Sequence, residues 1–450
     1  MRFVQWLHRC KQKQMEVHIM KDIHKITITL LAILLILLPL LVACDDDDDT
    51  VTPTAEPTDE PTSMEPVKFT LGNISDITGP AASALTVVDF ALGDLMKYFN
   101  ENDLIPGLEL AVQTYDSQYD PGKAIPGYEW VLERGADVVV TGLPPIVASI
   151  HPRATDDEVA LLAIVVEDSS LELPTWTFAF SAEPKSYIYT LMNWIQENDP
   201  DFPTDRPAKI GGVGMVGPYA QSLQAAGEAF ADEHSDQWDW VGGHLLGWET
   251  VTFGPEIESL MDADYVIPPS TGFFAGTLMK EYISAGGQGK FLGTDAHNSY
   301  MSMIVETVGG WDAIDGMLFC LPNRWYNEES QVTDLMNELL TNNHSASEAA
   351  AYKAAGSAYQ GAFHQWWAVL MLIKETAAQH GPDNVNSQTI YDTATSFALE
   401  FESDGGGQRV TFSEDKRAAW DFFGIYKASG ADQDLMRIGA DDWWPALVTP

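Results

Sequence analysis

The stretch KAIPGYEWVLERGADVVVT at residues 123–141 places a helix-like segment directly before a strand-like one. Residues 123–134 mix apolar and charged side chains at spacings typical of a helix that covers a core with one face. Residues 137–141 form a short, valine-rich run, which is typical of a strand buried on both faces. The stretch therefore predicts a helix that leads into one strand of a parallel sheet.

The same alternation continues on both sides of this stretch and predicts an α/β fold with parallel sheets covered by helices on both faces. A second series begins after the proline-rich residues 199–207, which predicts two similar lobes. The predicted strands are Val67–Ile74, Leu108–Tyr115, Asp137–Thr141, Ala160–Val166, Lys209–Val216, Trp240–Leu246, Tyr265–Ile267 and Phe291–Gly293. The predicted helices are Leu85–Asn100, Lys123–Arg134, Lys185–Gln196, Gln221–Glu233, Pro255–Met261, Gly276–Ala285 and one long helix over Ser345–His380.

The apolar run Ile26–Ala43 decides the compartment of the chain. Lys21 and Lys25 precede the run, small residues close it, and Cys44 follows, as in a bacterial lipoprotein signal whose cysteine carries lipid. Residues 1–43 are therefore predicted as a signal peptide, with Met20 a possible true start. The alternative is an uncleaved membrane anchor, and both interpretations place the bulk of the chain outside the cytoplasm.

Residues 44–66 contain mostly Asp, Thr, Pro and Glu and are predicted as a disordered tether behind the lipidated Cys44. The whole chain has a net charge of −42, which becomes −46 without residues 1–43. Such an acidic protein repels phosphate backbones and anionic headgroups, so we expect neither nucleic-acid binding nor peripheral membrane adhesion. Once Cys10 is removed and Cys44 is acylated, Cys320 has no partner for an internal disulfide.

The sequence shows no arrangement typical of catalysis. There is no Gly-x-Ser-x-Gly or His-Glu-x-x-His motif, and the glycines at 211–214 lack the spacing of a nucleotide-binding loop. Asp295 and His297 could contact one metal ion, but spacing indicates no third ligand. We therefore predict a protein that is not an enzyme and holds neither a cofactor nor a metal.

The order of these segments resembles the branched-chain amino-acid type of substrate-binding protein, which has the type I periplasmic-binding fold and serves ABC importers. The resemblance covers nearly all of residues 67–444. The segments that carry it are KFTLGNISDITGP at 68–80, YDSQYDPGK at 115–123, GADVVVTG at 135–142, the segment 209–223 with Gly217-Pro218-Tyr219, FLGTD at 291–295, VTFS at 410–413 and Ile425-Tyr426.

The resemblance implies two Rossmann-like lobes joined by a three-strand hinge and closing over a small ligand. Lobe one is predicted to comprise residues 67–185 plus about 320–402. Lobe two is predicted to comprise about 186–319 plus 403–450. The implied partners are a small-molecule ligand, the permease subunits of an ABC importer and, through the lipid anchor, the membrane.

The resemblance also implies a ligand site between the lobes, where this chain departs from the usual pattern. The residues after Gly142 offer no hydroxyl, and Pro144 and Pro145 supply no N–H, although this loop usually helps to hold a ligand carboxylate. Acidic side chains at 167, 168 and 295 instead suit a cationic or amide-bearing ligand. The predicted ligand-binding residues are Gly79, Pro80, Pro145, Ile146, Asp168, Ser169, Ser170, Tyr219, Asp295 and Tyr326.

Three classes of function are compatible with such a fold. The first is an extracytoplasmic solute-binding protein that captures an amino acid, amide or amine-like ligand and delivers it to an ABC permease. The second is a sensory receptor module that signals ligand occupancy to a membrane partner. The third is an extracellular hydrolase, for which no nucleophile arrangement is visible.

Overall fold

A computed structural model describes residues 65–401, 407–439 and 442–450. The predicted signal peptide, Cys44 and all of the tether except Glu65 and Pro66 lie outside the described residues. Within the described part, no helix combines the length and the apolarity needed to cross a membrane.

The first sheet contains parallel strands in the order β2-β1-β3-β4-β5. Its central strand β3 is the valine-rich run predicted from the sequence, and its residues are fully buried because helices cover both faces of the sheet. The strands are β1 (Val67–Ser75), β2 (Leu108–Asp116), β3 (Val138–Thr141), β4 (Leu161–Ala163) and β5 (Thr177–Ala179). The helices between them are α1 (Ala82–Glu101), α2 (Ala124–Leu132) and α3 (Pro144–Asp156).

The second sheet repeats the pattern and adds antiparallel strands at one edge. Its order is β14-β13-β10-β9-β8-β6-β7, and β15 pairs with β13. The strands are β6 (Ala208–Met215), β7 (Trp238–Leu246), β8 (Tyr265–Ile267), β9 (Lys290–Gly293), β10 (Leu318–Leu321), β13 (Phe422–Ser429), β14 (Asp434–Arg437) and β15 (Trp444–Pro445), while β11 (Ala398–Glu400) and β12 (Arg409–Thr411) form a separate hairpin. The helices that accompany this sheet are α4 (Pro184–Asn198), α5 (Pro218–Glu233), α6 (Gly254–Leu260), α7 (Gly272–Ala285), α8 (Asp295–Asn298) and α9 (Met301–Val308).

The chain passes between the two sheets after β5, after β10 and again between β12 and β13. After β10 it returns to the first sheet, where a long helix packs on α1. The helices of this return are α10 (Gln331–Asn343), α11 (Ala346–Ala354), α12 (Gln360–His380) and α13 (Ser387–Ala394). The predicted α/β fold with parallel strands and covering helices is confirmed, whereas the residue at which each lobe ends stays a prediction.

Two segments differ from the sequence-based expectation. Ser345–His380 is not one helix, because Gly356 adopts a φ of 74° and separates α11 from α12. A Cβ at this position would lie 2.2 Å from the carbonyl oxygen of Asn298, so only glycine fits there without a shift. The residues after Gly142 are not a loop either: Pro144 and Pro145 begin α3, since proline is tolerated in a first helical turn.

Candidate ligand-binding cleft

A cavity lies between the two sheets at the carboxyl ends of their parallel strands. It encloses about 730 Å³ of space free of protein atoms, part of it open to solvent. The segments directly after β3, β4, β8 and β9 line it, as do the first turns of α1 and α5. Ligands in parallel α/β sheets bind at this end of the strands, so we call this space the inner cavity and treat it as the candidate site.

The wall of the inner cavity that belongs to the first sheet is mostly apolar. Leu85 and Val88 project from α1, whose buried residues follow helical spacing, and Ile164 and Val165 directly follow β4. The side-chain amide of Gln365 on α12 donates a 2.9 Å hydrogen bond to the carbonyl of Ile164. This bond fixes the backbone after β4 against the helix layer behind it.

The wall that belongs to the second sheet is polar. It presents the hydroxyls of Ser270 and Thr271 after β8, of Ser299 after α8 and of Tyr219 on α5. The hydroxyl of Tyr219 lies 3.0 Å from that of Thr294. Burial, reinforced by the negative charge of Asp295, raises the pKa of Tyr219 well above its ordinary value, so the phenol stays neutral and can donate a hydrogen bond.

Asp295 is the acidic group of this wall. It begins α8 directly after β9, and its carboxylate accepts a 2.6 Å hydrogen bond from the hydroxyl of Tyr187 and a 2.7 Å bond from the amide of Ala296. Burial raises the pKa of Asp295 to about 6, even though both hydrogen bonds act in the opposite direction. In the described part of the chain, no lysine, arginine or histidine lines the inner cavity. Asp295 is therefore a buried carboxylate that faces the cavity without a cationic partner there.

His297 contacts the backbone around Thr294 and Pro268 and does not line the inner cavity. Its Nε2 lies 2.9 Å from the carbonyl of Pro268 and must donate to it, which leaves Nδ1 to accept from the amide of Thr294 at 3.1 Å. Burial lowers the pKa of His297 to about 4, so the ring is neutral. The described residues contain no cluster of three or more His, Cys, Asp or Glu side chains that could hold a metal ion.

Two of the predicted site residues, Tyr219 and Asp295, line the inner cavity. Gly79 and Pro80 precede its first lining residue and form a tight turn, in which the amide of Gly79 donates to Asp76. Pro145 lines a neighbouring cavity. Ile146 points into the core of the first sheet and is fully buried, because it lies in the first turn of α3.

The other predicted residues lie away from the inner cavity. Because β4 ends at Ala163 and not at Val166 as predicted, the segment 167–170 is several residues beyond the strand end. The hydroxyls of Ser169 and Ser170 donate to Glu167, and Asp168 bonds to Ser222 on α5.

Tyr326 is also buried away from the inner cavity. Its hydroxyl donates a 3.3 Å hydrogen bond to the carbonyl of Gly356, at the break between α11 and α12. This contact satisfies the buried hydroxyl of Tyr326.

Several lining residues were missed by the sequence reasoning. Tyr119 and Tyr300 line the inner cavity, and burial raises the pKa of both, that of Tyr119 to about 12. Ser270 and Thr271 had a usable signal, since they form a polar pair that follows the strand predicted at Tyr265–Ile267 after two prolines. No comparable signal marks the two tyrosines.

Comparisons with known proteins agree with this geometry. Residues 68–431 match the family model described as periplasmic binding protein. A search of the curated proteins finds no match.

Several solved structures share the fold at low sequence identity. A branched-chain amino acid ABC transporter protein from Thermus thermophilus with bound valine has a TM-score of 0.70 and 15% identity, over 83% of this chain and 96% of the other. A fatty acid ABC transporter substrate-binding protein from Thermomonospora curvata has a TM-score of 0.67 and 14% identity, over 83% of this chain and 91% of the other. A solute-binding protein from Rhodopseudomonas palustris BisB5 in complex with 3,4-dihydroxybenzoic acid has a TM-score of 0.65 and 16% identity, over 85% of this chain and 99% of the other. Because the family model spans most of the sequence, the chain belongs to the periplasmic binding protein family, which implies a place outside the cytoplasm.

Proposed function

We propose that this protein is a lipid-anchored solute-binding protein of an ABC importer, which captures an amine- or amide-bearing ligand between its lobes and delivers it to a permease. Cys44 is the proposed site of lipidation, and no chemistry is performed on the ligand. One observation supports the proposed ligand class. Asp295 is buried in the wall of the inner cavity, and no basic side chain among the described residues lines this space.

Electrostatics favours a cationic ligand over an anionic one. A buried carboxylate is costly without a partner, and a ligand ammonium group at hydrogen-bond distance would supply one. A ligand carboxylate would meet no cation from the described residues that line this cavity and would be repelled by Asp295. The first turn of α3 offers little compensation, because Pro144 and Pro145 have no N–H to donate.

A primary amide is the neutral ligand that fits the same wall. Its NH₂ group can donate to Asp295, while the hydroxyls of Ser270 and Thr271 can donate to its carbonyl oxygen. The apolar wall, with Leu85 and Val88, then covers the hydrocarbon part of either ligand.

Two of the structural neighbours hold valine and 3,4-dihydroxybenzoic acid, both of which carry a carboxylate. Their sequence identity to this chain is about 15%, so they share its fold but do not determine which ligand it binds. Valine and benzoate therefore serve as the natural negative set in a ligand screen.

A thermal-shift panel tests the proposal. The purified protein is heated with alkylamines, diamines, primary amides, valine and benzoate in turn. A ligand at about 100 times its Kd adds roughly 2.7 kcal/mol of stability, which gives a visible rise in Tm. We expect stabilisation by amines or amides alone. Stabilisation by valine or benzoate with no response to amines or amides would contradict the proposed ligand class.

A further inference from the structure

A second space, which we call the outer cavity, adjoins the inner one. It encloses about 660 Å³ of space free of protein atoms, part of it open to solvent. Residues from both lobes separate the two spaces and line both of them. These shared residues are Tyr119, Pro144, Tyr219, Ser270 and Thr271.

The outer cavity differs from the inner one in its chemistry. Four prolines line it, Pro121, Pro144, Pro145 and Pro218, and proline offers no N–H to a ligand. In the part of the chain that the structure describes, no charged side chain lines this space. The outer cavity therefore suits a hydrocarbon or aromatic group rather than a second polar one.

Trp248 lines the outer cavity. The indole N–H donates a 3.0 Å hydrogen bond to the carbonyl of Val216, so the polar atom of the side chain is already satisfied. The ring centroid lies 5.6 Å from that of Tyr119, in an edge-to-face contact. Trp248 follows β7 of the second sheet and Tyr119 follows β2 of the first, so this contact joins the two lobes across the cavity.

Trp248 is also one of the large apolar side chains that remain substantially exposed, with 37% of its surface accessible. A flat apolar group placed between this ring and the prolines would cover the exposed ring face. Burial of that surface would favour binding, by about 0.8 kcal/mol or roughly fourfold in affinity for each methylene group.

We propose that one ligand occupies both cavities, with a cationic head at Asp295 and an apolar, preferably aromatic, tail between Trp248 and the prolines. The ligand class is then an amphipathic amine, such as an arylalkylamine, rather than a short diamine or a small amide. This inference rests on the proposed function, because it takes the ammonium group at Asp295 as its starting point.

Calorimetry on the full chain tests the inference with two series of probes. The first is n-alkylamines from ethylamine to octylamine, and the second is phenylalkylamines of increasing linker length. We expect the affinity to rise about fourfold for each methylene that enters the outer cavity. Trp248→Ala should weaken the longest amines at least tenfold and ethylamine less than twofold, while Trp248→Phe should recover most of the loss.

Trp130→Ala is the matched control, since Trp130 stacks on Arg134 at 3.9 Å and lines neither cavity. It should leave all affinities unchanged. An affinity that does not rise with chain length, or an equal loss for short and long amines in Trp248→Ala, would overturn the two-cavity ligand while leaving the amine site at Asp295 intact. Failure of every amine to bind would overturn the two-cavity ligand and the amine site at Asp295, and would leave only a primary amide as the proposed ligand.

Discussion

Two buried aspartates near opposite ends of β9 have the same kind of hydrogen-bond donor and different charge partners. Asp199 lies near Lys290, the first residue of β9, and Asp295 lies two residues after the last residue of the strand. They are 7% and 8% exposed, and each accepts a hydrogen bond from a tyrosine, Tyr265 at 2.9 Å and Tyr187 at 2.6 Å. Burial and the tyrosine contact are therefore matched between the two sites.

The difference lies in the charge opposite each carboxylate. The Nζ of Lys290 lies 2.6 Å from Asp199, and the pKa of this lysine is raised: burial acts to lower it, but the hydrogen bonds to Asp199 and Asp201 outweigh burial. No lysine, arginine or histidine among the described residues lines the cavity that Asp295 faces, and burial raises the pKa of this aspartate to about 6. The fold neutralises one buried carboxylate internally and leaves the other facing the inner cavity, which is the arrangement expected of a binding residue.

The largest effect is expected at the internally paired site. Asp199→Asn should lower the free energy of unfolding by about 3 kcal/mol, at the low end for a broken buried pair because Asp201 still contacts Lys290. Denaturant unfolding measures this loss. Asp201→Asn is the matched control, since Asp201 bonds to the same lysine from an exposed position, and it should cost less than about 1 kcal/mol. Equal losses in the two variants would show that burial of the pair does not matter.

The second prediction concerns a substitution that should raise the free energy of unfolding instead of lowering it. The pKa of Asp295 is higher in the folded protein than in the unfolded chain, so its contribution to stability is present in acid and is lost as the pH rises through about 6. Asp295→Asn, which resembles the neutral acid, should therefore stabilise the ligand-free protein by up to about 3 kcal/mol near pH 8. The gain should disappear near pH 4. A loss of stability near pH 8 would mean that the negative charge at this position is compensated.

The third prediction concerns the pH dependence of ligand binding. An ammonium ligand pairs with ionised Asp295, so its affinity should be constant above about pH 7 and fall by up to tenfold for each pH unit below about 6. A tenfold loss of affinity for each pH unit corresponds to a loss of about 1.4 kcal/mol in binding free energy for each pH unit. Titration calorimetry between about pH 5 and pH 8 measures it. A constant affinity over this range would show that Asp295 does not contact the ligand. The Asp295→Asn variant is the control, and its affinity should not change with pH because asparagine does not titrate.

Much of the fold could be predicted because alternating helices and strands leave a strong periodic signal. The strand at Tyr265–Ile267 is observed with the predicted bounds, and the valine run is β3. β5, at Thr177–Ala179, was missed because its sequence Thr-Phe-Ala lacks the β-branched apolar pair that marks the equally short strand Tyr265–Ile267. The break at Gly356 was missed because a left-handed glycine inside an otherwise helical pattern is decided by its contact with Asn298 in another segment.

The candidate site could be predicted only in part, because the end of a strand and contacts with distant segments decide which residues reach the cavity. Asp295 and Tyr219 follow clear strands, so their place at the carboxyl end of the sheet could be inferred. The segment 167–170 was assigned to the cleft because β4 was expected to run to Val166, whereas its earlier end brings Ile164 and Val165 to the cavity instead. Whether a buried acid has a cationic partner depends on residues distant in sequence, so the contrast between Asp199 and Asp295 required the structure.

The central claim is that Asp295 is kept unpaired for the ligand. Its most direct test is the affinity of the most stabilising amine for the unmodified protein, for Asp295→Asn and for Asp199→Asn, measured by calorimetry near pH 8. We predict at least a tenfold loss in Asp295→Asn, or more than about 1.4 kcal/mol, and a change of less than twofold in Asp199→Asn. Full affinity in Asp295→Asn would contradict the account.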